Sequence, residues 1–325
     1  MQLDLEFLRD RKNLLAFSGG VDSSALFYLL EQNGVAFDLV MVDYGVRKES
    51  IKEVDYAKKL AKEYGKKLFL HKAKKIGSNF EHQARTLRYE YFKTVVLKNG
   101  YDCVITAHQL NDRLEWFLMQ LSKGAGLAEI VGMQKLSKKD GYTLVRPLLD
   151  IAKEDLLCYL QSRGYRYFVD HTNSDTKYKR NHFRKAFSDQ FLHSYKDGVR
   201  QSFHYLQKDL DALEATHELL YEKKQLRIYR VTQRSLLLAV SKALKEFGYV
   251  LSSTQRAAIE KSSSVVIGGR FCVGYEKNLL YICLYEKAVM DKKFKEKCRI
   301  LGIPKHVRTY FYTHKIDPNI IKKFQ

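Results

Sequence analysis

The chain has 325 residues, with 57 Lys and Arg against 37 Asp and Glu, so its formal net charge is +20 at pH 7. The length fits about two domains, and 45% hydrophobic residues with only 3 Pro exclude collagen-like and Pro-rich disordered chains. The charge exceeds what solubility requires and favours a polyanionic partner, with nucleic acid as the first hypothesis and an acidic membrane as the second.

No apolar run reaches the ~18 residues of a spanning helix, and Asp4, Glu6 and Asp10 do not fit a signal peptide. We therefore expect a cytoplasmic protein that does not contact a membrane. The 5 cysteines are scattered, with no CxxC and no Cys/His cluster at zinc spacing, which predicts reduced thiols.

The first half of the chain alternates short apolar runs with helical patterns, which is typical of βαβ units in a mostly parallel sheet. The predicted strands are Asn13–Phe17, Phe37–Val42, Lys67–Leu70 and Tyr101–Thr106. The predicted helices between them are Ser24–Gln32, Ser50–Tyr64 and Phe80–Lys98. This pattern predicts a doubly wound α/β domain.

The pattern changes at Val199, where apolar residues at alternating spacings of four and three continue to Leu220 and predict a long helix packed on another helix. The elements predicted after it are helices at Leu236–Phe247 and Thr254–Lys261 and a strand pair at Arg270–Tyr275 and Leu279–Tyr285. We predict a catalytic domain over residues 1–195, a smaller helical α+β domain over 196–286 and a strongly basic tail over 287–325.

The sharpest local motif is S-G-G-V-D-S-S, which directly follows a predicted strand and precedes a helical run. Its glycines allow a close backbone approach, and its hydroxyls lie beside the free N–H groups of a helix N-terminus, so the motif can bind an anion. A plain strand-to-helix turn with a Ser or Asp cap is the alternative. The motif is neither a Walker loop nor a GxGxxG fingerprint.

This motif resembles the SGGxDS pyrophosphate loop of the N-type ATP pyrophosphatases. The resemblance implies cleavage of ATP to AMP and pyrophosphate, with attachment of the AMP to a carbonyl-type oxygen. The residues that it implies for ATP binding are Ser18, Gly19, Gly20, Val21, Asp22, Ser23 and Ser24.

A second group of polar residues follows the fourth predicted strand. On a helix, His108, Asp112 and Glu115 stand at i, i+4 and i+7 and share one face, while leucines cover the opposite face. A solvated polar face is the common alternative. Because the helix begins where a parallel strand ends, we expect the row to face the crevice in which doubly wound sheets bind ligands.

Further motifs, in order, resemble the tRNA(Ile)-lysidine synthase family over about residues 10–195. That family has a block that begins with His, continues with D-x-x-E-T and ends in R-G-A-G, then R-P-L-L, then D-x-S-N-x-D leading to R-N-x-x-R. The matching segments here, after the His108 block, are K-G-A-G at 123–126, R-P-L-L at 146–149, D-H-T-N-S-D at 170–175 and R-N-H-F-R at 180–184. The departures are Trp116 for Thr, Gln109 for a frequent His, and V-D-Y-G at 42–45 for H-x-D-H-G.

The resemblance implies an enzyme that adenylates the C2 oxygen of the wobble cytidine, position 34, in the CAU anticodon of tRNA(Ile). Free L-lysine then displaces AMP and gives lysidine. The implied cofactors are ATP and Mg²⁺, with Asp22 near the metal through Mg-pyrophosphate. The implied catalytic residues are Asp22, Asp112 and Glu115. The implied substrate-binding residues are His108, Asp112, Glu115, Arg85, Arg88, Asn173, Arg180 and Arg184.

Several alternatives stay open at this point. A tRNA thiolase would share the loop but would require an essential cysteine, and a non-catalytic RNA-binding protein would keep only the basic surface. Arg85 and Arg88 also fit ordinary charge on a helix surface. The basic tail, where Tyr310, Phe311 and Tyr312 lie among cations, is one candidate for tRNA contacts, and a disordered, solvated end is the alternative. A homodimer is a further expectation.

Overall fold

The computed structural model describes residues 3–45, 50–73, 80–169 and 182–324, and its contacts divide the chain into two compact units. The first unit comprises Met1–Lys123 and Glu129–Phe203, and the second comprises Gly124–Ala128 and His204–Gln325. The sequence-based domain bounds of 1–195, 196–286 and 287–325 stay predictions.

A six-stranded sheet forms the centre of the first unit, in the order β3-β2-β1-β4-β6-β5. Its strands are β1 (Asn13–Ala16), β2 (Phe37–Asp43), β3 (Leu68–Lys72), β4 (Cys103–Ile105), β5 (Leu136–Lys139) and β6 (Tyr142–Val145). All neighbours pair in parallel except β5, the antiparallel edge strand. The prediction of a doubly wound, mostly parallel sheet is confirmed, whereas the β5–β6 hairpin was not predicted.

Helices cover both faces of this sheet, which explains why its strands are nearly continuous apolar runs. Helices α1 (Val21–Gln32), α2 (Ser50–Glu63) and α6 (Lys153–Ser162) contribute to one apolar cluster and α3 (Phe80–Asn99) to the other. Helices α4 (Leu110–Leu121) and α5 (Leu127–Val131) follow β4, and α5 begins in the short segment that belongs to the second unit. Adjacent residues of β1 pack against helices on different faces of the sheet, because successive side chains of a strand point to opposite faces. Leu15 packs in the cluster that contains Phe27 of α1, and Leu14 packs in the cluster that contains Phe92 of α3.

Strand β1 lies between β2 and β4, and the chain leaves β1 and β4 towards opposite edges of the sheet. The register places Asn13 of β1 opposite both Phe37 and Cys103. Connections that diverge in this way open a crevice beyond the carboxyl ends of the two strands. The topology thus provides a ligand-binding position between the segments that follow β1 and β4.

The second unit contains a five-stranded antiparallel sheet, in the order β7-β8-β11-β10-β9. Its strands are β7 (Glu218–Lys223), β8 (Leu226–Arg230), β9 (Ser264–Ile267), β10 (Phe271–Glu276) and β11 (Leu279–Leu284). The predicted strand pair is confirmed as β10–β11, with Lys277 and Asn278 at positive φ in the turn. The predicted helical seam is wrong beyond Glu214: the long helix α7 (Asp189–Glu214) ends there, and Leu220 lies in β7.

Helices pack on both faces of this second sheet. Helices α8 (Leu236–Glu246) and α9 (Ser253–Lys261) share one apolar cluster with it, and the chain from α10 (Lys292–Ile300) through α11 (Arg308–Thr313) shares the other. Tyr310 and Phe311 are buried in that second cluster. The expectation that these two rings contact RNA is therefore wrong, because they form part of the core.

Within the described ranges, none of the helices combines the length and the apolar character needed to cross a lipid bilayer.

The packing of the C-terminal segment on β10 is tested at Gly274. A Cβ atom at this glycine would lie 2.5 Å from Cβ of Pro304 and 3.2 Å from Cγ2 of Val307. We expect Gly274→Ala to lower the free energy of unfolding of the second unit by about 1–3 kcal/mol in chemical denaturation. Gly198→Ala, whose Cβ meets nothing within 4 Å, is the matched control and should not destabilise. An unchanged midpoint for Gly274→Ala would contradict the packing.

Candidate functional site

A cavity of about 420 Å³ lies at the crevice beyond β1 and β4. Ser18, Gly20 and Asp22 line it from the segment after β1, and Thr106 and His108 line it from the segment after β4. The sequence-predicted loop and the start of the predicted polar row therefore meet in one place. Their position is the edge at which doubly wound sheets bind ligands.

The loop after β1 forms the beginning of α1. Gly19 has φ +77°, and a Cβ there would lie 3.4 Å from the Phe168 ring, so the tight turn requires glycine. The N–H of Phe168 donates to the Gly19 carbonyl oxygen over 2.9 Å, and the hydroxyls of Ser18 and Ser23 lie 3.0 Å apart. Gly20 caps the helix with extended backbone, which leaves the first N–H groups of α1 facing an incoming anion.

Five of the seven predicted loop residues line the cavity. They are Ser18, Gly20, Val21, Asp22 and Ser23. Ser24 is buried within α1, and Gly19 shapes the turn, so neither is among the lining residues.

Asp22 is the acidic residue of the loop. Its pKa is raised to about 7, first by burial and then by the nearby charge of Asp112, while Lys153 and Arg184 act in the opposite direction. Its Oδ1 atom is buried and accepts no hydrogen bond from the part of the chain that is described. A carboxylate oxygen in this state, beside an anion-binding loop, fits an Mg²⁺ ion that is otherwise held by phosphate oxygens and water.

Asp112 and Glu115 lie on α4, and one guanidinium binds both. Arg184 donates from Nη2 to Asp112 Oδ1 over 3.0 Å and from Nε to Glu115 Oε1. Asp112 is 8% exposed and Glu115 is fully buried, so the alternative of a solvated polar face is wrong. His108 precedes the helix instead of continuing its face, and its Nδ1 lies 2.9 Å from the hydroxyl of Thr106.

The segment that carries Arg184 is fixed by the amide of Asn111. Arg184–Ser188 form a π-helical turn that leads directly into α7. The amide nitrogen of Asn111 donates to Asp189 Oδ1 over 2.7 Å, and its amide oxygen accepts from the backbone N–H of Lys153 over 3.1 Å. One side chain of α4 thereby ties together the first residues of α6 and α7.

The predicted arginines differ in position. Arg88 lines the cavity, and its Nε donates to the Tyr44 hydroxyl over 3.1 Å, while that hydroxyl donates to the Ala84 carbonyl oxygen over 2.9 Å. Arg85 lies over the Tyr89 ring, 5.0 Å from its centroid, and is not among the described lining residues. Asn173 and Arg180 lie outside the described residues.

Two of the departures from the family pattern have a structural role here. Gln109 is the N-cap of α4, and its backbone N–H donates to Asp112 Oδ2 over 3.1 Å, so the cap also orients a site carboxylate. Trp116 donates its Nε1–H to the Glu129 carbonyl oxygen over 2.7 Å and is not among the described lining residues.

Sequence reasoning missed several residues of the site, among them Glu53 of α2 and three others. Lys153 begins α6, Tyr44 follows β2, and Phe168 packs against the loop, and all three line the cavity. Tyr44 lies within the V-D-Y-G segment, whose difference from the family pattern H-x-D-H-G was the one sequence feature that pointed to it. Lys153 and Phe168 carry no spacing that separates them from ordinary helix-start and loop residues.

The chain is similar to several known proteins. The family description of a PP-loop domain matches residues 2–191. A tRNA(Ile)-lysidine synthase of Campylobacter jejuni is 44% identical over 314 residues, which is 96% of each chain. One of Helicobacter pylori is 40% identical over 311 residues, 95% of this chain and 91% of that one. A U34-tRNA thiolase of Methanococcus maripaludis shares the fold, with TM-score 0.51 and 19% identity over 62% of this chain and 73% of that one.

The ion pairs of Arg184 with Asp112 and Glu115 should contribute to the stability of the fold. Removing one partner of a buried ion pair leaves uncompensated charge, so Arg184→Met should lower the free energy of unfolding by about 3 kcal/mol. The double variant Arg184→Met/Glu115→Gln should recover most of this loss in chemical denaturation. Lys93→Met, which breaks an exposed ion pair with Asp140, is the control and should change stability little. If Arg184→Met and Lys93→Met lower the free energy of unfolding equally, the buried cluster does not have this role in stability.

Proposed function

The chain belongs to the tRNA(Ile)-lysidine synthase family, and we propose how its residues catalyse the reaction: ligation of free L-lysine to C2 of the wobble cytidine in the CAU anticodon. The activity is the ATP-dependent formation of lysidine on tRNA(Ile). The observation that carries the residue assignment is that Asp112 and Arg184 line the same cavity as the anion-binding loop, with the fully buried Glu115 bound to the same guanidinium.

ATP binds with its phosphates on the loop. The N–H groups at the start of α1 and the hydroxyls of Ser18 and Ser23 receive the pyrophosphate portion, and Arg88 adds a positive charge from α3. The apolar part of the cavity wall, which includes Val40 and Phe92, accommodates the adenine ring. Donors that are fixed before the reaction stabilise the charge that develops on the phosphate during adenylation of the cytidine oxygen.

Asp22 is the residue that would hold Mg²⁺ together with the pyrophosphate. The buried, unpartnered Oδ1 supports this assignment, as does the closeness of Asp22 to the start of α1. The ion, when bound, would neutralise charge on the departing pyrophosphate. Lys153 supplies a second positive charge that acts on Asp22 from the start of α6.

The carboxylates bind the lysine substrate. Asp112 lines the cavity and shares the guanidinium of Arg184 with Glu115, so an ammonium group that enters the cavity is attracted by carboxylate charge. Free lysine has a side-chain pKa of about 10.4, so its amine must lose a proton before it can attack. A carboxylate beside the nitrogen accepts that proton, the nitrogen lone pair forms the bond to C2, and AMP leaves with the electrons of the C–O bond.

No feature of the site favours a thiolase. Cys103 lies in β4, where burial raises the pKa of its thiol to about 11, whereas a sulfur carrier needs an accessible thiolate. None of the five cysteines is among the described residues that line the cavity.

The predicted homodimer stays an expectation.

The direct test of the proposed function is incorporation of labelled lysine. Purified protein, ATP, Mg²⁺, radiolabelled L-lysine and tRNA(Ile) with a CAU anticodon should place label in the RNA, and omission of ATP should prevent it. Transcripts with a different wobble base serve as the control. Absence of label with the complete mixture would refute the proposal.

The carboxylate pair should determine the lysine requirement. Hydrogen bonds to charged groups contribute about 1.5–3 kcal/mol, so Asp112→Asn and Glu115→Gln should raise the lysine concentration for half-maximal rate about 10- to 100-fold. The ATP requirement should change little. Asp140→Asn, at an exposed carboxylate of the same unit, is the control. If the lysine dependence of both site variants equals that of the control, the pair does not bind lysine.

Asp22 should act on phosphate chemistry and not on RNA affinity. We expect Asp22→Asn to slow pyrophosphate release about 100-fold or more, because it removes the carboxylate that would hold Mg²⁺ against the pyrophosphate. The affinity for tRNA should stay almost unchanged, since basic residues elsewhere on the chain bind the RNA. A filter-binding titration beside the pyrophosphate assay separates the two effects, and a parallel loss of both would contradict this division of roles.

A further inference from the structure

An exposed row of aromatic side chains runs from the π-helical turn into α7. Phe187, Phe191 and Tyr195 follow one another at intervals of four residues and are 48%, 49% and 61% exposed. The ring of Phe183, at the preceding interval, lies 5.6 Å from that of Phe187, and the rings of Phe191 and Tyr195 are 5.1 Å apart. These four side chains, of which Phe183 is half-buried and Tyr195 lies at a kink in the helix, are called the aromatic ridge below.

The aromatic ridge is separate from the core of its unit. The buried residues of the same segment are Ser188, Leu192, Val199 and Phe203, which hold the helix in place. A helix that packs by one face is expected to carry polar residues on the other face. Large apolar side chains grouped on an exposed face are typical of a surface that binds another molecule.

The ridge begins directly beside the candidate site. Arg184 follows Phe183 in the chain and binds the buried Asp112 and Glu115. The π-helical turn therefore carries a site residue and the start of the ridge together, and such turns are frequent at functional positions. A molecule that lies on the ridge would end next to the proposed lysine position.

The setting of the ridge favours RNA over a protein partner. The charges along it are mixed, because Lys185 is exposed on the π-helical turn and Asp189 is exposed at the start of α7. The whole chain, however, carries a formal charge of +20, and its family acts on a tRNA. Flat exposed rings are the surface on which unpaired bases of RNA stack.

We propose that the aromatic ridge stacks unpaired bases of the anticodon loop beside the wobble cytidine, an inference that rests on the proposed function. The cytidine must leave the stack of the loop to enter a cavity of about 420 Å³. Its neighbours then lose a stacking partner, and the ridge replaces that partner at the entrance. The surface binds by base stacking, so it selects loop RNA over duplex RNA.

The test measures binding of an RNA hairpin with the CAU anticodon loop and 2-aminopurine next to the wobble position. Full-length protein should bind it and quench the fluorescence. Phe187→Leu and Phe191→Leu keep apolar volume but remove the ring, and each should weaken binding between about 5-fold and 150-fold and reduce quenching. Phe187→Tyr and Phe191→Tyr should retain both. Leu97→Ala, at an exposed apolar position of α3, is the matched control.

Each outcome decides the inference. Leu variants that match the control in affinity and quenching overturn it. Leu variants that bind normally while the Tyr variants bind weakly also overturn it, because apolar contact then matters and stacking does not. Thermal unfolding of each variant checks the fold, and Tyr195→Leu replaces any variant that fails to fold.

Lysine incorporation separates this inference from the proposed function. If the protein incorporates no lysine but still binds the hairpin in a way that depends on the aromatic rings, the proposed function is refuted and the role of the ridge in RNA binding is supported. Incorporation by the wild-type protein together with ring-independent binding would refute the ridge alone.

Discussion

The site depends on one guanidinium that binds two buried carboxylates. Without Arg184, Asp112 and Glu115 would lie close together at low exposure, and mutual repulsion would drive one of them to bind a proton. With it, each carboxylate has a guanidinium partner. The proposed lysine site depends on the same carboxylate charge, because an ammonium group in the cavity beside Asp112 would be attracted by it.

The same electrostatic reasoning connects the cluster to the phosphate loop. Asp22 sits between the charge of Asp112, which raises its pKa, and the charges of Lys153 and Arg184, which lower it. These residues come from segments that start at α1, α4, α6 and the π-helical turn, and the amide of Asn111 joins three of those segments. A change in the position of one segment therefore alters the charge that the others experience.

The parts that sequence analysis predicted are those with a local cause. The S-G-G-V-D-S-S loop follows from backbone freedom and a helix start, and the α4 carboxylates follow from helical spacing. The β5–β6 hairpin, Lys153 and Phe168 depend on tertiary contacts that no periodicity records. The basic residues after 287 predicted a tail because charge hides the spaced apolar residues, such as Cys298 and Phe311, that bury this segment against a sheet.

Placement of Arg184 and the aromatic ridge on one turn has a thermodynamic consequence. If bases on the ridge hold the turn in the position seen here, they also hold the guanidinium against Asp112 and Glu115. Binding free energies at two linked sites are reciprocal, so lysine in the site must strengthen loop binding by the factor with which the loop strengthens lysine binding. An enzyme built this way completes its amine site when the correct RNA loop is in place. The coupling needs no communication over distance, because both contacts belong to the same turn of helix.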